Sequence, residues 1–153
     1  MPTARKTHLV TIAALLVAVG IWYRGRISPQ QPLTPQDAIY RMLDAARAGN
    51  VAAYLASYTG GLQASLQQSI RESSEAAFVQ YLKDSNAAIK GIAVGEPQPL
   101  SDTQVSVRLE YVYQDRNEAQ TMQLEKSGGQ WKIARVDSAE RVKTLVPYGT
   151  PVK

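Results

Sequence analysis

The chain has 153 residues, no cysteine and one histidine, His8, and its 17 Lys and Arg outnumber its 13 Asp and Glu. No cysteine means no disulfide and no thiolate metal site, and a lone histidine near the start leaves zinc, copper and triad chemistry without ligands or a base in the rest of the chain. Four basic residues, Arg5, Lys6, Arg24 and Arg26, flank one apolar run, so the 13 that remain balance the 13 acids. A charge-neutral domain lacks the clustered basic footprint that nucleic-acid binding requires.

The apolar run is Leu9 to Tyr23, uncharged throughout and preceded by a short basic segment, residues 1–8. It is slightly shorter than the roughly 20 residues that cross a hydrocarbon layer. Leu9, Leu15 and Leu16 supply apolar surface, Trp22 and Tyr23 stand where an interfacial aromatic belt belongs, and Arg24 and Arg26 can snorkel outward. The reading is an uncleaved transmembrane anchor over residues 9–23, which makes membrane lipid its first partner. A cleaved signal peptide competes, with Ala18-Val19-Gly20 as the small-x-small site, but it leaves bulky Ile21-Trp22-Tyr23 to begin the mature chain. A buried helix of a soluble domain is the third reading. Arg5, Lys6 and the terminal amine before the run outweigh Arg24 and Arg26 after it, which keeps the short tail inside. In a bacterium this is a single-pass protein of the inner (cytoplasmic) membrane with its domain in the periplasm.

Residues 24–33 form a linker stiffened by Pro29 and Pro32. Thr34-Pro35-Gln36-Asp37 then predicts a helix start, with Thr34 as N-cap, Pro35 at N1 and Asp37 at the positive end of the dipole. Ile39, Met42, Leu43 and Ala46 follow at helical spacing, and Gly49 stops the helix. Asn50 caps a short second helix with Val51, Tyr54, Leu55 and Tyr58, broken by Thr59-Gly60-Gly61. A third helical stretch carries Leu62, Leu66 and Ile70, is re-capped at Ser73-Ser74-Glu75, and resumes with Ala77, Phe78, Tyr81 and Leu82.

The period then changes from 3.6 to 2. Ala88 to Val94 reads as a strand with Gly91 as a possible bulge. Gln104 to Gln114 is the clearest strand, with Val105, Val107, Leu109, Tyr111 and Tyr113 on one face and Gln104, Ser106, Arg108 and Glu110 on the other. Asp115-Arg116-Asn117 is a turn, Glu118 to Lys126 places Met122 and Leu124 on one face, and Ser127-Gly128-Gly129 turns into Gln130 to Val136, with Trp131 and Ile133 inward. Residues 139–153 form a C-terminal extension in which Val142, Leu145 and Val146 suit an edge strand or a short helix. Helices grouped before strands predict an α+β class, three helices packed on an antiparallel sheet of about four strands.

The helix opening Thr34-Pro35, the Ala48-Gly49-Asn50 break into the Tyr54-Leu55 helix, and the hairpin Leu124 to Ile133 with its Gly-Gly-x-Trp-Lys-Ile ending together resemble the NTF2-like (cystatin-like) superfamily over residues 34–138, above all its small, membrane-anchored bacterial envelope proteins of unknown function. The resemblance implies a strongly curved sheet wrapped by helices into a cone, often with a pocket at the open end. The superfamily spans isomerases, dehydratases, ligand carriers and assembly modules, so the fold does not fix the function.

Eight tyrosines stand against one phenylalanine. Tyr54, Tyr58, Tyr81, Tyr111 and Tyr113 are the candidate binding residues at the mouth of the cone, since tyrosine joins an apolar body to a polar tip. The plainer reading makes them rim residues of a small core. Arg108 and Glu110 face away from the helices, either as cross-strand pairs with Glu125 or Lys132 or as a recognition surface. Asp37, Asp44, Glu72 and Glu75 read as capping or solvated charges, and the clearest strands offer no inward carboxylate for catalysis. No cofactor and no enzymatic activity are expected. The leading expectation is an accessory or assembly subunit that binds partner proteins beside a membrane complex, the second a carrier of an apolar small molecule, and the third an isomerase- or dehydratase-like enzyme.

Overall fold

A computed structural model of the chain describes residues 34–143. The proposed anchor with Leu9, Leu15, Leu16, Trp22 and Tyr23, the segment with His8, the linker, and the tail with Leu145 and Val146 lie outside the described residues. Among the described residues no helix is long and apolar enough to cross a membrane.

Helix α1 (Pro35–Ala48) begins as its sequence predicts. Asp37 N donates to Thr34 Oγ1 and Thr34 N donates to Asp37 Oδ2, both at 3.1 Å, a reciprocal cap that satisfies two orphan donors. Its stop is Gly49, at φ +66°, a left-handed conformation that L side chains avoid. Asn50 Oδ1 accepts from Ala53 N at 3.0 Å and starts α2 (Val51–Ala56). Helices α3 (Gly60–Ser73) and α4 (Glu75–Ala87) follow. The predicted third helix is thus two, because Ser74 sits at φ 99° and its Oγ caps Ala77 N at 3.3 Å. Gly60 and Gly61, expected as a breaker, form the first turn of α3.

The strands are β1 (Gly91–Val94), β2 (Gln98–Ser101), β3 (Gln104–Val112), β4 (Asn117–Ser127), β5 (Gln130–Val136) and β6 (Glu140–Val142). All pair antiparallel, and the sheet is four strands wide. Strands β3 and β4 form its centre, β1 and β2 share the outer edge of β3, and β5 and β6 share that of β4. The expected strand from Ala88 starts only at Gly91, since Ala88 still caps α4. Strand β2, exposed along its length and carrying Pro99, has no apolar alternation to announce it. Gly128 and Gly129, at φ 59° and 78°, make the two-residue turn between β4 and β5. The register of β4 against β5 shifts between Gln123 and Leu124, leaving Ala134 as an extra residue in β5.

One face of this sheet carries the core. Val105, Val107, Leu109 and Tyr111 of β3 join Met122, Leu124 and Ile133, and pack with Ala38, Ile39, Met42 and Leu43 of α1. Ile39, Val107, Leu109, Leu124 and Ile133 are fully buried, each stabilising the fold by about 1.5–3 kcal/mol. A second cluster joins Ala46 of α1 to Phe78 and Leu82 of α4. The helical layer is also tied to the sheet through its backbone. Ile133 N donates to Ser57 O at 2.8 Å, and Thr59 N donates to Ile133 O at 3.0 Å, either side of Tyr58. This fixes Tyr58 at the junction between the layers.

Candidate functional site: a tyrosine-lined cleft

Beyond Leu109, the inward faces of β3 and β4 stop being aliphatic. Leu109 lies opposite Gln120 and Tyr111 opposite Glu118. A cleft of about 380 Å3 lies between this end of the sheet and the helices. Met42, Leu43, Leu66, Leu82 and Met122 supply apolar lining, and Asn86, Glu118 and Gln120 add polar groups.

All five candidate tyrosines line this one cleft. Tyr54 on α2 and Tyr58 just after it lie one helical turn apart, so their rings meet edge to face with centroids 5.0 Å apart. The Tyr58 hydroxyl donates to that of Tyr54 at 2.8 Å. Phe78 meets Tyr54 at 5.9 Å on one side and Tyr81 at 6.3 Å on the other. Tyr111 ends the inward row of β3 and is buried, while Tyr113, two residues on, keeps the same parity at the rim. Tyr81 is 64% exposed and forms the outer lip.

Burial raises the pKa of Tyr54, Tyr58, Tyr111 and Tyr113 above the usual phenol value. For Tyr111 the result is about 12, with Tyr113 and Tyr54 adding to the effect of burial. For Tyr113, Glu118 adds to it. The raised values favour the neutral, hydrogen-bonding form of these phenols.

Glu118 corrects the expectation that no carboxylate faces inward. It shares the parity of Met122 and Leu124 on β4, a pattern the sequence itself carries. Its Oε1 accepts from Arg116 Nε at 2.6 Å, a pairing that raises the Arg116 pKa. Arg116 Nη1 also donates to Asp115 Oδ1 at 3.0 Å, and the guanidinium lies 4.4 Å from the Tyr113 ring centroid. The turn between β3 and β4 thus holds one arginine by two carboxylates and a ring. Asn86, at the end of α4, also lines the cleft. Its Nδ2 donates to Leu82 O at 2.8 Å, while its buried Oδ1 has no partner among the described residues, a deficit that costs about 1–3 kcal/mol.

Arg108 and Glu110 are not part of this cleft. They lie on the outer face of β3, opposite Thr121 and Ala119, and Glu110 Oε1 accepts from Asn117 Nδ2 at 3.1 Å. The expected pairing with Glu125 or Lys132 is not formed, because the register sets Glu125 opposite Gln104 and Lys132 instead. The helix acids match their sequence reading. Asp37 caps α1, Asp44 meets Arg47 at 3.3 Å, and Glu72 accepts from Gln68 at 2.8 Å.

Compared with known proteins, the chain matches no family model and no curated protein. It is similar to several solved structures. One is an NTF2-like protein of unknown function from Shewanella oneidensis MR-1, 18% identical, the match covering 67% of this chain and 97% of that one with a TM-score of 0.44. Another is an NTF2-like protein of unknown function from Cytophaga hutchinsonii ATCC 33406, 10% identical over 74% of this chain and 94% of that one, with a TM-score of 0.38. A de novo β-sheet design protein is 17% identical over 56% of this chain and 96% of that one, with a TM-score of 0.33.

Proposed function

We propose that this chain is a membrane-tethered binding protein of NTF2-like type, without enzymatic activity, whose cleft holds an apolar small molecule. The observation that carries the reading is the convergence of Tyr54, Tyr58, Tyr81, Tyr111 and Tyr113, from α2, α4 and β3 and the residues just beyond α2 and β3, on one apolar-floored cleft. A concave site with an apolar body and few polar groups is the usual form of a small-molecule pocket. The anchor over residues 9–23 would confine the site to the membrane surface, within reach of molecules that partition there.

The test is native mass spectrometry of the full-length chain purified from its own membrane. A retained small molecule, lost in Leu66→Trp where the larger ring fills the cleft, is the expected result. A wild-type chain that carries nothing after mild extraction argues against the reading.

A second reading, an accessory subunit that binds partner proteins of a membrane complex, is favoured by Tyr81 and by Leu100, 64% and 54% exposed. Photocrosslinking from position 81 in intact membranes separates the two. A protein adduct supports the subunit, and none leaves the carrier.

A further inference from the structure

We infer that the ligand of this cleft bears a hydrogen-bond donor, an ammonium or a hydroxyl, on its apolar body, and that Glu118 and Gln120 receive it. The inference rests on the cleft being a ligand site and adds what the ligand's polar end must be. It starts from the two amides in the lining. Gln120 Nε2 donates to Asp137 O at 3.0 Å, and Asn86 Nδ2 donates to Leu82 O at 2.8 Å. A backbone carbonyl only accepts, so the NH2 of each amide must lie on that side and its oxygen on the other. The oxygen of each amide is thereby turned away from that carbonyl as an acceptor, beside the second N–H of its NH2.

Glu118 accepts in any case. One of its oxygens takes the Arg116 Nε–H. Among the described residues no donor meets its second oxygen or Gln120 Oε1, and Asn86 Oδ1 is likewise without one. Glu118 and Gln120 are two apart on β4 and so share the inward face, about 7 Å apart along the strand. Arg116 stands behind Glu118 and lines the neighbouring hollow rather than the cleft. No Lys, Arg or His lines the cleft among the described residues. A carboxylate or phosphate placed here would face the free oxygen of a carboxylate and amide oxygens with no cation in the lining to meet it, an unfavourable match of like charge. The tyrosine hydroxyls serve as donors or acceptors and do not discriminate.

The test titrates the purified full-length chain with naphthylmethylamine, naphthylmethanol and naphthoate, which share one apolar body and differ in the polar group. The amine and the alcohol are expected to bind at least about tenfold more tightly than the carboxylate. Glu118→Gln, with the fold checked by near-ultraviolet circular dichroism, should cancel any advantage of the amine over the alcohol. Naphthoate binding as tightly as the other two overturns the donor assignment and leaves the cleft as a ligand site. Failure of all three to bind at about 1 mM removes the ligand site itself and the inference with it.

Discussion

Tyr58 donates its hydroxyl to that of Tyr54 across 2.8 Å, one helical turn apart, at the point where the backbone flanking Tyr58 is bonded to Ile133 of β5. This pair joins the helical layer, the sheet and the wall of the cleft. The two partners are not equivalent. Tyr58 is 4% exposed and is the donor, whereas Tyr54 is only half-buried. Tyr54→Phe leaves a buried donor unsatisfied and should destabilise by about 1–3 kcal/mol, whereas Tyr58→Phe removes only a net hydrogen bond, about 0.5–1.5 kcal/mol. Urea unfolding of both variants should give that order.

The division of the sheet into an inner and an outer face yields a second expectation. Leu109 is 0% exposed, and its neighbour Arg108 points the other way. Leu109→Ala should cost about 2–5 kcal/mol through lost burial and a cavity. Arg108→Ala should stay within about 0.5 kcal/mol, since no ion pair or hydrogen bond engages that side chain among the described residues. Equal effects would show that the faces are misassigned.

Gly49 combines two constraints. Its φ is +66°, and a Cβ there would stand 2.7 Å from Lys83 Cε and 2.9 Å from Val79 Cγ1. Gly49→Ala should therefore lower stability by about 1–2 kcal/mol from the left-handed backbone alone, with a further penalty to the extent that Val79 fails to move. Chemical denaturation measures the total, and no change would contradict the cap geometry.

Alkaline pH should weaken the fold through the buried phenols. Tyr111 holds its proton in the folded chain until about 12, against about 10 when unfolded. Between those values the unfolded chain binds fewer protons, so stability is intact below pH ~10 and falls as pH rises toward 12. Tyr54 and Tyr58 shift in the same direction and steepen the decline. Unfolding midpoints followed across this window should fall, and Tyr111→Phe should make the fall shallower.

Much of the fold is legible where local chemistry and pattern agree. Thr34 and Asp37 announce α1, and the alternation from Val105 to Tyr111 announces β3, because these depend on neighbours in sequence. The one-turn spacing of Tyr54 and Tyr58 and the shared parity of Tyr111 and Tyr113 are visible in the sequence, whereas the meeting of all five on one cleft depends on how the helices dock on the sheet. Ser74 splitting a helix was half legible, since its capping chemistry is visible but its backbone angle is set by how α3 and α4 dock. Strand β2 was hidden because its pairing with β3 is made by backbone groups while its side chains are exposed. Glu118 opens its strand in the sequence and shares the parity of Met122, but a charge at a strand end gives no sign there of the cleft it enters.

The most direct test of the cleft as a ligand site is amide chemical-shift mapping of the full-length chain titrated with naphthylmethanol. Saturable shifts that cluster on Leu43, Tyr54, Tyr111, Glu118 and Met122, with Arg108 and Glu110 unmoved, are the predicted result. Shifts confined to the outer face around Arg108 and Glu110, or none at saturating probe, would contradict it.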